Sequence, residues 1–360
     1  MSLVNTRIQN IRSNSRLDKF ELRPSRYGAL NLFLDQSQDP NGILTPELVE
    51  KARTSIGNIL ETPVINYDAN ISIGNTRSVT IADSENTSAI VQFTFTTYSW
   101  GFTVTPAMYM NNEISIQRDF EAKMMKYIYK FASTLDKAAL AALATAKTQV
   151  MANPLFYTFG SNAISAGWLQ RENLLGDLNV MMEANDFFGQ LHIVGDAGVQ
   201  SLVRKLAQKD LYNIENKRNE WSDKIFHFTN GIAAAEKTFA QGYAVQQGSV
   251  GLLTRFERDS ILGTRSGDGH EWGIATLPVL NMPVGTYFYD SVDDYSAIAG
   301  AATADMTRTR KEHYGFAVDV CFVTAYNSSP STLASPIIAF NVGYDATTDK
   351  LGLVVNNVGQ

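Results

Sequence analysis

Two residues could serve as nucleophiles, and neither has the neighbours that such chemistry needs. Cys321, the single cysteine, stands inside the apolar run Phe316–Val323, where a thiol is usually a small core residue. His313 is near it in sequence, but an apolar strand is a poor place to form a reactive thiolate. Ser249 lies in Gln-Gly-Ser-Val-Gly, which lacks the first glycine of a nucleophile elbow. We therefore expect no enzyme, and a hydrolase using Cys321 or Ser249 is the distant alternative.

The residues that could hold a metal or a phosphate are also poorly arranged. The four histidines have none of the spacings that bind zinc: His192, His227, His270 and His313. Three acidic residues form a possible cation turn without the glycine and downstream glutamate of a calcium loop: Asp290, Asp293 and Asp294. Asp196 follows a predicted strand and opens a helix, but its charge would repel a pyrophosphate, so it is predicted to cap that helix. No metal or cofactor is predicted.

Composition points to extensive burial. Of 360 residues, 44% are hydrophobic and only 18% are charged, against a usual charged share of about 25%. Either the core is large, or much of the surface is covered by copies of the same chain. The net charge of −6 argues against charge-driven binding of nucleic acid by the whole molecule. A local exception is a basic arm containing Arg7, Arg12 and Arg16, which would be either a solvated or intersubunit segment or an inward-facing contact for DNA.

No targeting or membrane segment is predicted. The N-terminus has no signal-peptide pattern, and no stretch approaches 18 uninterrupted apolar residues. A lone cysteine permits no intrachain disulfide, which fits a reducing compartment or a virion assembled there.

Residues 62–105 are predicted to form a long β-hairpin that follows an incomplete N-terminal arm, residues 1–61. The arm contains one clear helix start, with Thr45 as N-cap and Pro46 in the first turn. In the hairpin, apolar residues alternate and then change phase, which predicts a bulge or bend near Thr96–Thr97. A lone two-stranded ribbon is marginal in water, so its apolar side chains are predicted contacts with a neighbouring subunit: Val91, Phe93, Phe95, Tyr98 and Trp100.

The clearest element is a helix over about 112–150. Apolar residues recur there at spacings of three and four, from Ile116 to Ala146, and no proline interrupts them before Pro154. Such a helix would be on the order of 50 Å long, far beyond the average, which is typical of a structural beam.

The remaining chain is predicted to be mixed α/β. Helices are expected at Trp168–Asn185 and from Asp196 to about Ala207, and strands at 191–195, Phe226–Thr229, Thr276–Leu280, Tyr314–Ala325, Pro336–Val342 and Leu351–Val355. Gly242–Leu253 could be helix or strand, and Gly263–Gly269 is a predicted loop or hairpin tip. The expected division is an arm at 1–61, a hairpin at 62–105, a peripheral domain at 106–190, an axial domain at 191–310 and returning C-terminal strands at 311–360.

This order of parts resembles the major capsid proteins of tailed bacteriophages, whose fold is named after phage HK97. The resemblance covers nearly the whole chain from about residue 40. Local strings that support it are Thr62-Pro63-Val64 at the start of the hairpin, Trp100–Pro106 leading into Asn112–Asp119, and His313–Val318 followed by Ser335-Pro336-Ile337. It implies an α+β fold with an N-terminal arm, an extended-loop hairpin, a spine helix in a peripheral domain and a mixed α/β axial domain.

The resemblance implies self-assembly into hexamers and pentamers of an icosahedral head around double-stranded DNA. It also implies non-specific DNA contact, assembly in the host cytoplasm, and separate scaffolding, portal and cement partners. Some relatives cross-link a hairpin lysine, but residues 62–105 contain no lysine, so stability is expected from non-covalent burial or a cementing protein. Because only about 60 residues precede the hairpin, a scaffold is expected to be a separate protein. An encapsulin-like nanocompartment shell is the closer alternative.

Overall fold

The protein is an α+β molecule, seen here in a computed structural model. The structure describes residues 4, 6–9 and 27–343, with gaps at 41, 56, 67–86, 110–115, 168–169, 211–223, 234–237, 257–260, 262–269, 279 and 294–308. The helices are α1 (Gly28–Gln36), α2 (Pro46–Thr54), α3 (Ile116–Ala146), α4 (Arg171–Glu183) and α5 (Ala197–Asp210), with a short 3-10 helix at Pro106–Tyr109. Within the described residues, no helix is both long enough and apolar enough to cross a bilayer.

Thirteen strands in the described ranges form two sheets and a separate ribbon. The ribbon pairs β1 (Ile59–Asn66) with β2 (Thr87–Thr94). One sheet contains β3 (Thr96–Val104), β9 (Val250–Arg255), β10 (His270–Thr276), β11 (Pro283–Asp293) and β12 (Thr309–Thr324). The other contains β4 (Thr158–Gly160), β5 (Ala163–Ala166), β6 (Leu191–Gly195), β7 (Lys224–Phe228), β8 (Thr238–Gln246) and β13 (Ile337–Gly343).

The long helix α3 lies against the five-stranded sheet. It has 31 residues, so it is about 46 Å long, and it confirms the predicted helix over its described part. Along β12, Tyr314, Phe316 and Val318 are buried at alternate positions and share one apolar cluster with residues of α3. Their period of two and the helix's period of 3.6 each present one apolar face, and the two faces form the largest core cluster.

The six-stranded sheet forms a second core with α4 and α5. Its order is β4-β5-β13-β8-β6-β7, with parallel pairs at β13/β5 and β6/β7. All of β6 is buried, as predicted for Leu191–Gly195. The Asp196 carboxylate accepts a hydrogen bond from the Val199 amide at 2.9 Å, which confirms the predicted cap. In the same way Thr45 accepts from the Leu48 amide at the start of α2.

Helix α1 corrects the predicted arm. Residues 28–36 were assigned to an arm that lies outside the fold, yet Leu30, Leu32 and Phe33 are fully buried in the main cluster. Asp136, in the middle of α3, accepts hydrogen bonds from the Leu30 amide at 3.0 Å and from the Thr229 hydroxyl. The arm was misassigned because nine residues look too few to build a core, although they are enough to complete one.

Several predicted boundaries also change. Gly242–Leu253 is neither one helix nor one strand, because β8 and β9 turn there around Gly248, which has a positive φ of 80°. In the predicted strand Thr276–Leu280, Thr276 is the last residue of β10, and the described residues after it form a turn rather than a strand. The C-terminal predictions 314–325 and 336–342 match β12 and β13 closely, whereas Gly263–Gly269 and Leu351–Val355 lie outside the described residues.

The domain limits follow sheets and not sequence blocks. Strands β9, β10 and β11 fall in the predicted axial range of 191–310, yet they share a sheet with β3 and lie with α3. Strands β4 and β5 fall in the predicted peripheral range, yet they join the other sheet. Both sheets are therefore assembled from segments far apart in the chain, which contiguous limits could not represent.

Candidate functional site

The β1–β2 ribbon is the strand pair of the described chain that belongs to neither of the two larger sheets. Its strands pair antiparallel in regular register from Ile59 opposite Thr94 to Asn66 opposite Thr87. Residues directly opposite in such a pair share a face. Leu60 therefore shares one face with Phe93, and Pro63 shares the other with Ile90.

One face of the ribbon is uncovered and has four exposed apolar side chains beside a polar pair, Glu61 and Gln92. Ile59 is 51% exposed, Ile65 is 52% exposed and Ile90 is 68% exposed. Pro63, opposite Ile90, is exposed as well. We call these four residues the open face. Branched side chains at this exposure are unusual on a solvated two-stranded ribbon, so the open face is suited to being covered.

The opposite face of the ribbon is anchored at its root. Leu60 is buried in a small cluster that includes Leu48, Leu253 and Val323, and Phe93 packs against the same cluster. Farther along, Val64 and Val91 are only half-buried. The ribbon is thus fixed at one end by apolar packing and becomes progressively less covered toward its tip.

Arg255 ties the root to the five-stranded sheet. It is 6% exposed, and its guanidinium donates to the Asp319 carboxylate at 2.9 Å and to the Gly57 carbonyl at 2.6 Å. It also bonds the carbonyl and hydroxyl of Ser55 and lies 4.4 Å from the ring centroid of Phe95. A planar donor fork can satisfy several acceptors at once, so one side chain links the segment before β1, the bend after β2 and strand β12.

A groove runs beneath the root of the ribbon. It has a volume of about 490 Å³ and lies between β2, the C-terminal end of α3 and the end of β12. Val91, Phe93 and Cys321 are on its walls. Val91 and Phe93, both half-buried, therefore face this groove and not the open face.

The structure separates the five predicted contact residues. Phe95 is buried at the root. Tyr98 and Trp100 pack on Phe131 of α3, with ring centroids 6.0 and 4.4 Å away. Phe95 is therefore covered by its own chain, which corrects its assignment as a neighbour contact. Tyr98 and Trp100 are only half-buried, so their contact with a neighbour stays a prediction. The other two, Val91 and Phe93, lie on the half-covered face.

The open face was missed because its pattern is diluted by polar residues. Ile90 alternates with Ser88 and Gln92 along β2, and that register reads as the solvated side of a strand. The pairing with Pro63 places Ile90 on the same face as Ile59 and Ile65 of β1. The available signal was that Ile59, Pro63 and Ile65 are separated by even numbers of residues, which places them on one face of β1.

Arg7 is not available for the predicted DNA contact. Its guanidinium pairs with the Glu312 carboxylate at 3.1 Å and lies 5.4 Å from the Tyr314 ring centroid. Glu312 also accepts from the Tyr314 hydroxyl, so Arg7 completes a buried network at the end of the sheet. Arg12 and Arg16 lie outside the described residues.

The candidate nucleophiles are not activated. Burial raises the pKa of the Cys321 thiol to about 12. His313 is eight residues away along the same strand, about 26 Å, and is hydrogen-bonded to Thr103 and Ser291. The Ser249 hydroxyl donates to the Gln246 carbonyl at 2.7 Å. Nothing in this geometry prepares either residue for attack.

The predicted cation turn is used in other ways. Asp290 pairs with Arg310 at 3.0 Å, Asp293 belongs to β11, and Asp294 lies outside the described residues. Across the described ranges, no group of three or more potential ligand side chains could hold a metal ion.

Two of the scattered histidines meet in the fold. His192 on β6 and His227 on β7 are both under 10% exposed, and the Nδ1 atom of His192 lies 3.0 Å from the Nε2 atom of His227. Burial lowers the pKa of each to about 4. Their neutral forms share one N–H···N hydrogen bond, so this is a structural contact sensitive to acid.

Comparison with known proteins finds no matching family model and no matching curated protein. Among solved structures, the chain is similar to the cyanophage Pam1 capsid, with 10% identity, a TM-score of 0.49 and coverage of 92% of this chain and 94% of that one. The chain is 10% identical to the capsid of Ralstonia phage GP4, with a TM-score of 0.48 and coverage of 92% of this chain and 94% of that one. For a structure from Mycobacterium phage Che8, the identity is 11%, the TM-score is 0.45, and the match covers 79% of this chain and 84% of that one. At these identities and TM-scores, function has to be argued from the chain's own surfaces.

Proposed function

We propose that this chain is a shell-building subunit, the major capsid protein of a tailed-phage head with the HK97-type arrangement. The observation that carries the proposal is the open face of the ribbon. A 360-residue chain with two large apolar cores leaves Ile59, Ile65 and Ile90 exposed on a strand pair outside both of them. Every molecule has this surface, and a second copy of the chain is a partner that is present in the same number as the surfaces to be covered.

The size of the open face favours a repeating assembly. Burying three half-exposed isoleucines contributes roughly 1 kcal/mol each, or about 3 kcal/mol in all. That is less than the entropic penalty of holding two separate molecules together. In a closed ring or shell each subunit makes several such contacts at once. Because the later contacts form between subunits that are already held together, the summed free energy can exceed the entropic penalty.

The root gives the ribbon the rigidity that a repeating contact needs. Arg255, the Leu60 cluster and Phe95 fix its direction relative to the five-stranded sheet. A contact surface held on a rigid base presents the same geometry from every copy. The long helix α3 and its sheet supply the body from which the ribbon projects.

In this proposal the role is structural and not catalytic. Subunits form hexamers and pentamers that close an icosahedral head around double-stranded DNA, after assembly in the host cytoplasm. Cementing by apolar contact or by a separate protein takes the place of a lysine cross-link, and scaffold and portal proteins are separate partners.

The test is the assembly state of the full-length chain. We expect closed particles by negative-stain electron microscopy, and small oligomers or monomers for Ile90→Asp, because a carboxylate on the open face must be desolvated in the contact. Ile90→Leu should still form particles. Val180→Asp, at a comparably exposed apolar site on α4 (48% exposed), tests whether the effect is specific to the ribbon.

Two results would contradict the proposal. One is a chain that stays monomeric at all concentrations. The other is an Ile90→Asp variant that assembles as well as the unaltered protein. Melting curves of the unassembled variants show whether a lost particle reflects a lost contact or a lost fold.

A further inference from the structure

Helix α3 carries an exposed stripe of a single charge sign. After Glu121, its only acidic residue is Asp136, which is 2% exposed and hydrogen-bonded inside the protein. In contrast, Lys126, Lys130 and Lys137 are all exposed. We call these three residues the lysine ridge. A one-sign surface is notable on a chain whose net charge is −6.

The lysine ridge is straight. At 100° per residue, Lys130 and Lys137 lie about 40° and 20° around the helix from Lys126, so the three side chains project in nearly one direction. They span about 17 Å along the axis. The rigid packing of α3 against the sheet holds this spacing.

The three ammonium groups are not used within the described part of the chain. No ion pair involves them there, whereas Lys123, on the neighbouring side of the helix, pairs with Asp119 at 2.7 Å and donates to the Thr103 carbonyl. Three aligned lysines without partners repel one another weakly. Such an arrangement contributes nothing to folding, which makes a binding role the simpler account.

The surroundings of the ridge favour a polyanion over a protein partner. The exposed residues between and beyond the lysines are small: Ala122, Thr134, Ala141 and Ala144. Tyr127, the large exposed side chain beside them, stacks on Phe102 with ring centroids 5.8 Å apart. Protein interfaces depend on apolar or aromatic anchors, whereas phosphate contacts need only positioned charge.

We infer that the lysine ridge is a contact surface for the phosphate backbone of duplex DNA. The inference rests on the proposed function, in which the shell encloses DNA, and it moves the DNA contact from Arg7 to α3. Lysine ammonium groups are mobile point charges that can meet phosphates in any register, so the contact is independent of base sequence. The acidic remainder of the molecule keeps the DNA from adhering elsewhere.

The test measures binding of a labelled 30-base-pair duplex to the soluble, unassembled full-length chain over a range of salt concentrations. We expect the slope of log K against log salt to fall by about 2–3 in Lys126→Gln/Lys130→Gln/Lys137→Gln, at roughly 0.9 per lost phosphate contact. The matched control is Arg53→Gln/Arg204→Gln/Lys205→Gln, which removes three exposed charges elsewhere and gives the same net charge. It should keep most of the slope.

Each outcome decides something different. Equal slopes in the two triple variants, or an unaltered chain that does not bind the duplex, overturn the inference, and an acidic protein then becomes the partner to seek. Substituting arginine at all three ridge positions should preserve the slope, and circular dichroism checks that the variants fold. Electron microscopy of the same preparations tests assembly independently. If particles form but the salt slope of the lysine variant is unchanged, only the DNA contact is contradicted. If the unaltered chain forms no particles, the proposed shell is contradicted.

Discussion

Strands β2 and β3 are consecutive in the chain and separated only by Phe95, yet they pair with different parts of the molecule. Strand β3 pairs with β12 over nine residues, and its apolar side chains lie under α3. Strand β2 pairs with β1 in the ribbon and leaves Ile90 68% exposed. Alternation therefore identifies a strand with an apolar face but not the molecule that covers that face.

The bend between the two strands has a local cause. Phe95 is buried in the root cluster with Arg255 over its ring, and its amide donates to the Asn58 carbonyl at 2.8 Å. The Thr97 hydroxyl donates to Asp319, the same carboxylate that Arg255 holds. The predicted bend near Thr96–Thr97 is thus found one or two residues earlier, where the chain leaves the sheet and enters the ribbon.

The first prediction concerns the removal of an aromatic ring from β3. Trp100 contacts Phe131 and Phe316, so Trp100→Ala should lower the free energy of unfolding by about 3–4 kcal/mol, the range for large aromatic deletions. Ile90→Ala on β2 should change it by less than about 0.5 kcal/mol. Urea unfolding of the unassembled proteins measures both. Similar losses for the two variants would mean that β2 is covered by its own chain after all.

A second prediction concerns the junction between the strands. Arg255→Met keeps much of the side-chain volume but leaves the Asp319 carboxylate and the Gly57 carbonyl without their donor. We expect a loss of about 3 kcal/mol, toward the lower end for breaking a buried pair, because Asp319 is partly exposed (19%). Faster hydrogen exchange should be confined first to β1 and β2.

The control for that junction is Arg310→Met. Arg310 is 58% exposed and pairs with Asp290, so its removal should cost less than about 1 kcal/mol. Equal losses in the two variants, or exchange that increases first in the six-stranded sheet, would show that Arg255 does not anchor the ribbon.

A last prediction concerns the stability of the six-stranded sheet in acid. Because burial lowers the pKa values of His192 and His227 to about 4, the folded protein binds fewer protons than the unfolded chain below pH 6.5. Their contribution is complete above pH 6.5 and is lost as the pH falls through about 4. We therefore expect the free energy of unfolding to decrease as the pH falls across that interval.

Unfolding curves between pH 7 and pH 4 measure this contribution. His192→Gln/His227→Gln should flatten the pH dependence, whereas His270→Gln, in the other sheet, should not. An unflattened curve in the double variant would show that other groups dominate.

A good part of the fold could be predicted from sequence. The long helix, strand β6, the caps at Thr45 and Asp196 and strands β12 and β13 all depend on local periodicity or local hydrogen bonds. The candidate site was predicted only in outline. A long ribbon in need of cover was expected, but Phe95, Tyr98 and Trp100 were assigned to it and Ile59, Ile65 and Ile90 were not.

By itself, the sequence determined where this chain is helical, where it is extended and that it has a ribbon with apolar side chains, because those properties arise from neighbours two to four residues apart. Only the tertiary structure decided which apolar residues are left uncovered, how Arg255 joins segments about 200 residues apart, and that Lys126, Lys130 and Lys137 face solvent together. Those outcomes depend on strand register and on which surfaces meet, and both are set by contacts between distant parts of the chain.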